Sequence, residues 1–146
     1  ESVTCKDLGV SLEFGVGGKE KVESSSQLTK NYLGNVEKRP WGNYHVIAKN
    51  IGYQIKEIKV FKNSKLSLQK HNNRSEFWQI VKGESKIIIE NNEYFLKEKE
   101  HIYIPKKTVH RIENIGNEEL IFIEIQLGED LQESDIVRIE DDYGRV

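Results

Sequence analysis

The stretch Gln69-Lys-His-Asn-Asn-Arg-Ser-Glu76 spaces three possible metal donors as Gln-x-His-x4-Glu. Another imidazole arrives much later, in Pro105-x4-His110-x3-Asn114. An amide oxygen, a carboxylate and imidazole nitrogens are donor types of a divalent-metal centre, where an ion polarises a substrate oxygen. The familiar His-x-His pair is missing, because Asn73 stands two residues after His71. Taken singly, each of these residues reads just as well as an ordinary strand or surface side chain. Their combined spacing is what points to a metal.

Donors so far apart in the chain converge only if strands carry them. Gln69 and His71 are two apart, so within an extended run they point to the same face. Glu76 follows a polar bend and opens the next strand, which Gly83 closes at a turn; Pro105 enters a turn before His110 begins another strand. After Pro40 the chain is almost continuous β signal. Runs rich in Ile, Val, Tyr and Phe occur at Tyr44–Ala48, Tyr53–Phe61, Leu66–His71, Phe77–Val81, Ser85–Glu90, Glu93–Lys97, His101–Ile104, His110–Asn114 and Glu119–Leu127. So many short runs separated by turn residues predict an antiparallel sandwich or barrel. A helical turn is expected only near Gln132–Val137. Upstream, Leu8–Val16 alternates with the period of a half-buried strand, and a polar arm follows to about Asn35. An alternating edge strand of this kind suits pairing with a second copy, so a homodimer is expected.

Composition narrows the function classes. A chain of 146 residues makes one domain with a sizeable core. Its 22 basic and 24 acidic side chains leave a net charge of -2, which gives no electrostatic reason for nucleic acid or an anionic membrane as partner. No apolar run approaches the ~20 residues of a membrane span. The lone Cys5 forms no internal disulfide, and with no signal-peptide pattern the expected location is cytoplasmic.

The two motifs resemble those of the cupin superfamily, small β-barrels with a metal inside. There the first part is usually His-x-His-x(3,4)-Glu-x6-Gly and the second Pro-x-Gly-x2-His-x3-Asn. With Gln69 in the first histidine's place, every other spacing fits. Lys107 and Asn63 stand where glycine is usual. The resemblance implies an all-β, cupin-type double-stranded β-helix (jelly-roll barrel) with an N-terminal strand extension. It also implies a metal held by Gln69, His71, Glu76 and His110. Such a mixed nitrogen and oxygen set suits Zn2+, with Mn2+, Fe2+, Co2+ or Ni2+ also able to bind.

A narrower resemblance lies in Arg39-Pro-Trp-Gly-Asn-Tyr44, Leu66-Ser-Leu-Gln69, Arg74-Ser-Glu-Phe-Trp78, Tyr103-Ile-Pro105, His110-Arg-Ile-Glu-Asn114 and Ile123-Glu-Ile-Gln-Leu-Gly128, and in the ending Asp135-Ile-Val-Arg-Ile-Glu-Asp-Asp-Tyr-Gly-Arg145. These look like type II mannose-6-phosphate isomerase, over about Lys38 to Arg145. Residues 1–37 then form an N-terminal strand and arm, and 38–146 an isomerase-like cupin domain. In many such proteins this domain is the C-terminal part of a bifunctional enzyme that is also a mannose-1-phosphate guanylyltransferase. The Gly-rich nucleotide-binding opening of that activity has no counterpart here.

The implied reaction interconverts mannose 6-phosphate and fructose 6-phosphate by moving a proton between C2 and C1, with the metal stabilising charge on the sugar oxygens. Glu124 is the candidate base, since it shares a face of Leu120–Leu127 with Gln126; that face looks either into the barrel or to solvent. Arg74, Arg111, Arg145 and Gln126 are candidate contacts to the sugar phosphate, arginine because its planar fork matches phosphate oxygens. Trp41 and Trp78 read as core residues. Asn73 and Phe77 replace residues that are usually histidine in the family, which opens a second reading: a non-catalytic module binding sugar phosphate or sugar nucleotide. An iron dioxygenase on the same barrel is a third, weaker one.

Overall fold

The structure, a computed structural model, describes residues 36–145. The Leu8–Val16 strand, and the pairing to a second copy expected of it, lie outside the described residues. Short runs of β-branched and aromatic residues give β1 (Glu37–Arg39), β2 (Gly42–Asn50), β3 (Tyr53–Val60), β4 (Leu68–His71), β5 (Arg74–Lys82), β6 (Glu84–Ile89), β7 (Asn92–Lys97), β8 (His101–Ile104), β9 (His110–Asn114), β10 (Leu120–Gly128) and β11 (Ile136–Glu140). Antiparallel pairing sorts them into a six-stranded sheet, β1-β2-β3-β10-β5-β8, and a five-stranded sheet, β11-β4-β9-β6-β7. Two antiparallel sheets with the chain crossing between them make the expected all-β barrel. No helix of the described residues is long and apolar enough to cross a membrane.

Alternation along the strands decides what lines the interior. On β3 the inward residues run Gln54, Lys56, Ile58, Val60; on β10 they run Leu120, Phe122, Glu124, Gln126. The register sets Gln126 opposite Gln54 and Glu124 opposite Lys56, so the polar halves of the two strands lie at one level. β5 follows suit, with Arg74, Glu76 and Trp78 at the polar level, Trp78 opposite Glu124, and Ile80 below it opposite Phe122. One end of the barrel is therefore a dry core of Ile58, Val60, Ile80, Ile87, Ile112, Leu120 and Phe122. The other end is a polar chamber.

Both unusual turn residues adopt the conformation that glycine favours. Asn63 has φ 58° and Lys107 has φ 65°. Asn tolerates this region, whereas Lys meets a Cβ penalty there. The Lys107 amide donates to the His71 carbonyl oxygen at 2.6 Å, so the strained turn is tied to the strand that carries the motif. At the chain's end, the expected helical turn is a single 3-10 turn over Glu133–Asp135, and the chain then continues as β11. The sequence reading missed this strand, because five residues acquire strand character only by pairing with the edge of β4. It also missed β1, a three-residue strand paired to β2.

Gly128 sits opposite Arg74 at the end of β10, where an added Cβ would overlap the Asn73 carbonyl oxygen and the Arg74 backbone. Gly128→Ala is expected to lower stability by roughly 1–3 kcal/mol through this overpacking. Lys107→Gly, by relieving the left-handed strain, should raise stability by about 1 kcal/mol. Denaturant unfolding of the two variants against the parent chain checks both signs.

Candidate metal centre

The donors meet where the two sheets face each other across the polar chamber. β4 supplies Gln69 and His71 on its inward face, and β9 brings His110 into register with Gln69. β5, in the opposite sheet, contributes Glu76. Ligand atoms of His71, Glu76 and His110 all lie within 4.8 Å of one another, so this triad could hold a metal ion. Gln69 lines a cavity with Glu76, and its Oε1 accepts a hydrogen bond from Ser67 Oγ at 2.7 Å. That bond leaves Oε1 a further lone pair for a cation.

The state of the nitrogens supports a metal. His71 Nε2 lies 3.0 Å from Glu76 Oε1 and His110 Nε2 lies 3.5 Å from Oε2. Yet neither nitrogen has a hydrogen-bond partner, although both are buried. Orphaned buried polar atoms are costly, and a cation between the imidazoles and the carboxylate would answer them. His110 Nδ1 is 2.8 Å from the Thr108 carbonyl oxygen, which can only accept. Nδ1 therefore carries a proton, which leaves Nε2 as the ring nitrogen turned toward Glu76.

Around the donors stands a second layer of polar groups. Trp78 Nε1 donates to Glu76 Oε2 at 3.1 Å and to Glu124 Oε2 at 3.2 Å. Gln126 Nε2 reaches Glu76 Oε1 at 3.2 Å and Glu124 Oε1 at 2.7 Å, and its own Oε1 accepts from Gln54. Glu124 thus faces the cavity, not solvent, and is 4% exposed. Burial alone would raise the Glu76 carboxyl, but the two imidazoles hold it well below the usual carboxylate range. Glu124 goes the other way: burial, then the charge on Glu76, push it up to about 8. Lys56 Nζ, 4.0 Å from Glu124 and 2.9 Å from Glu133, is desolvated yet held charged by those two carboxylates. One chamber thus contains an ionised carboxylate and a carboxyl able to exchange its proton near neutral pH.

The candidate cations separate. Arg74 and Arg145 line the cavity; Arg111 points out of the barrel and reaches Glu140 at the edge strand β11. Asn114, the last residue of the second motif, sits at the far end and braces a turn through the Val60 and Glu118 carbonyl oxygens. Neither of the two replaced histidine positions faces the chamber. Asn73 lies in the β4–β5 turn, where its backbone and side chain bond the buried Asp135. Phe77 is on the outer face, stacked on His101 at 5.1 Å. Lys56, Gln54 and Trp78 are the site residues that sequence reading missed. The alternation of Gln54, Lys56, Ile58 and Val60 would have placed Lys56 on the inward face.

Comparison with known proteins places the fold and the family. The family model described as mannose-6-phosphate isomerase C-terminal matches residues 27–141. The alginate biosynthesis protein AlgA of Pseudomonas syringae is 38% identical over 139 residues, 89% of this chain and 29% of that protein. Mannose-1-phosphate guanylyltransferase ManC of Salmonella typhimurium is 44% identical over 108 residues, 74% of this chain and 22% of that protein. The chain thus spans less than a third of the length of these curated relatives. Among solved structures, the capsular polysaccharide assembling protein CapF of Staphylococcus aureus superposes with a TM-score of 0.66 at 19% identity, covering 73% of this chain and 34% of that one. A Klebsiella pneumoniae protein with a double-stranded β-helix domain gives 0.63 at 14% identity, over 84% of this chain and 100% of that one. With its cupin-type barrel and the match over most of its length, the chain belongs to the mannose-6-phosphate isomerase C-terminal family.

Proposed function

We propose that this chain is a metal-dependent aldose–ketose isomerase that interconverts mannose 6-phosphate and fructose 6-phosphate, feeding GDP-mannose and polysaccharide precursor synthesis. The observation that carries the reading is two carboxyl groups in one chamber: Glu76 clustered with His71 and His110, and Glu124 joined to it through Trp78 Nε1 and Gln126 Nε2. An isomerase of this type needs a charged anchor for a cation and a separate group that takes and returns a proton. The names of the relatives, which concern alginate, xanthan and mannose 1-phosphate chemistry, support the pathway.

Gln69, His71, Glu76 and His110 are the residues that would hold the ion, with Zn2+ favoured by the mixed nitrogen and oxygen donors. A divalent ion held there would supply Lewis-acid charge for the sugar oxygens. Glu124 takes the proton from C2 of the open-chain sugar and returns it to C1, while the hydroxyl proton on O2 passes to O1 as the carbonyl moves from C1 to C2. Trp78 Nε1 and Gln126 Nε2 hold the two carboxylate oxygens in place, and the Lys56 ammonium favours the ionised state. The dry core beneath the chamber keeps solvent from the far side.

The alternative, a non-catalytic module binding sugar phosphate or sugar nucleotide, draws on Asn73 and Phe77. Both lie away from the chamber, so neither removes a group from it.

Dialysis against a chelator is expected to abolish fructose 6-phosphate formation in a coupled assay, and Zn2+ or Mn2+ to restore it. His71→Ala and Glu76→Ala should lose bound metal by elemental analysis. Glu124→Gln should keep its metal while kcat falls about 10²–10⁴-fold. Phe77→His, on the outer face, should leave metal content unchanged. A metal-loaded parent chain without turnover would favour the binding module instead.

A further inference from the structure

The isomerase reading leaves the anionic end of the substrate without a partner, and a subsite for that end rests on the same reading. The cations of the chamber differ in what they already hold. Arg74, 1% exposed, lies between Glu76 Oε1 at 3.3 Å and the Gln132 carbonyl oxygen at 2.8 Å, and so braces the metal-binding carboxylate. Lys56 is engaged by Glu133 and Glu124.

Arg39, Arg138 and Arg145 make up the partly open rim, contributed by β1, β11 and the tail. The side chains of Arg39 and Arg145 are 29% and 24% exposed, unlike the buried donors below. Arg39, Arg74, Arg111 and Arg145 each have a carboxylate within 4.0 Å, whereas Arg138 has none among the described residues. Its Nε is buried and has no hydrogen-bond partner. A guanidinium with a buried, unanswered donor is unfavourable unless an acceptor arrives from outside. Arg138 stands opposite Gln69 in the β11–β4 register, next to the donor set. Arg39 donates to the Lys38 carbonyl oxygen and the Tyr44 hydroxyl, and its carboxylate contact is a long one to exposed Glu37, at 3.4 Å, while Arg145 is held by the buried carboxylate of Asp141. The rim carboxylate Glu133 is matched by Lys56 at 2.9 Å.

We propose that Arg138, flanked by Arg39 and Arg145, is the subsite for the phosphate group of the sugar phosphate. The sugar then runs from this rim to the donor set inside. Planar guanidinium forks match phosphate oxygens in pairs. Neither Arg74 nor Arg111 serves this purpose: the first is committed to Glu76, and the second faces out of the barrel.

Titration calorimetry with inorganic phosphate and with mannose 6-phosphate tests this on the metal-loaded chain. Arg138→Gln is expected to weaken both by about tenfold or more, with metal content unchanged. In steady-state assays KM should rise by a similar factor while kcat changes far less. Arg138→Lys should recover part of the affinity, and Arg39→Gln should give a smaller loss. Undiminished phosphate binding by Arg138→Gln, or no phosphate binding by the parent chain, overturns the subsite. If the parent turns over no mannose 6-phosphate yet binds phosphate through Arg138, the isomerase reading falls and the subsite stands. Should Arg138→Gln fail to fold, Arg138→Lys and Arg39→Gln decide: parent-like affinity in both overturns the proposal.

Discussion

A carboxylate in the middle of a protein is the constraint around which this barrel is arranged. Glu76 is 1% exposed and ionised, a state that burial strongly disfavours unless cationic or hydrogen-bonding groups surround it. Those groups come from both sheets: His71 and His110 from one, Trp78, Gln126 and Arg74 from the other. The carboxylate is satisfied only when β4, β5, β9 and β10 are all in register. A one-residue slip of any of them would turn its inward face outward and strand the charge. The polar chamber therefore acts as a specificity device for the barrel as well as a site.

The chamber also divides labour between two chemically identical side chains. Glu76 and Glu124 share donors, Trp78 Nε1 and Gln126 Nε2, yet stand on opposite sides of neutrality. The imidazoles beside Glu76 hold its carboxyl down, whereas burial and then the charge on Glu76 push Glu124 up to about 8. Two carboxyls this close cannot both ionise without a cation between or beside them. The fold thus sets two carboxyl groups of one chamber in unlike surroundings, one beside two imidazoles and the other beside a lysine. The tail reinforces this arrangement from outside: Asp135 fixes the β4–β5 turn through the Asn72 and Asn73 amides, and Gln132 receives Arg74.

Much of this was legible in the chain. Period-two runs and turn residues located nine of the strands, with His101–Ile104 and His110–Asn114 matching to the residue. Gln69 and His71 shared a face because side chains two apart on a strand must. Lys107 and Asn63 could be assigned to turns, and both take positive φ. β1 and β11 escaped, since three or five residues become a strand only when a neighbouring edge offers hydrogen bonds.

The sequence by itself determined the all-β class, the donor types and the pairing of Gln69 with His71, because these follow from local period and chemistry. It left Glu124 between chamber and solvent, and left three arginines equal as candidates. Only the tertiary structure turned Glu124 inward and separated the arginines by position and partner, because both depend on which sheet face turns inward and which carboxylate lies beside each guanidinium. The same holds for Asn73 and Phe77: their replacement was visible in the chain, but that both lie outside the chamber is a consequence of strand direction alone.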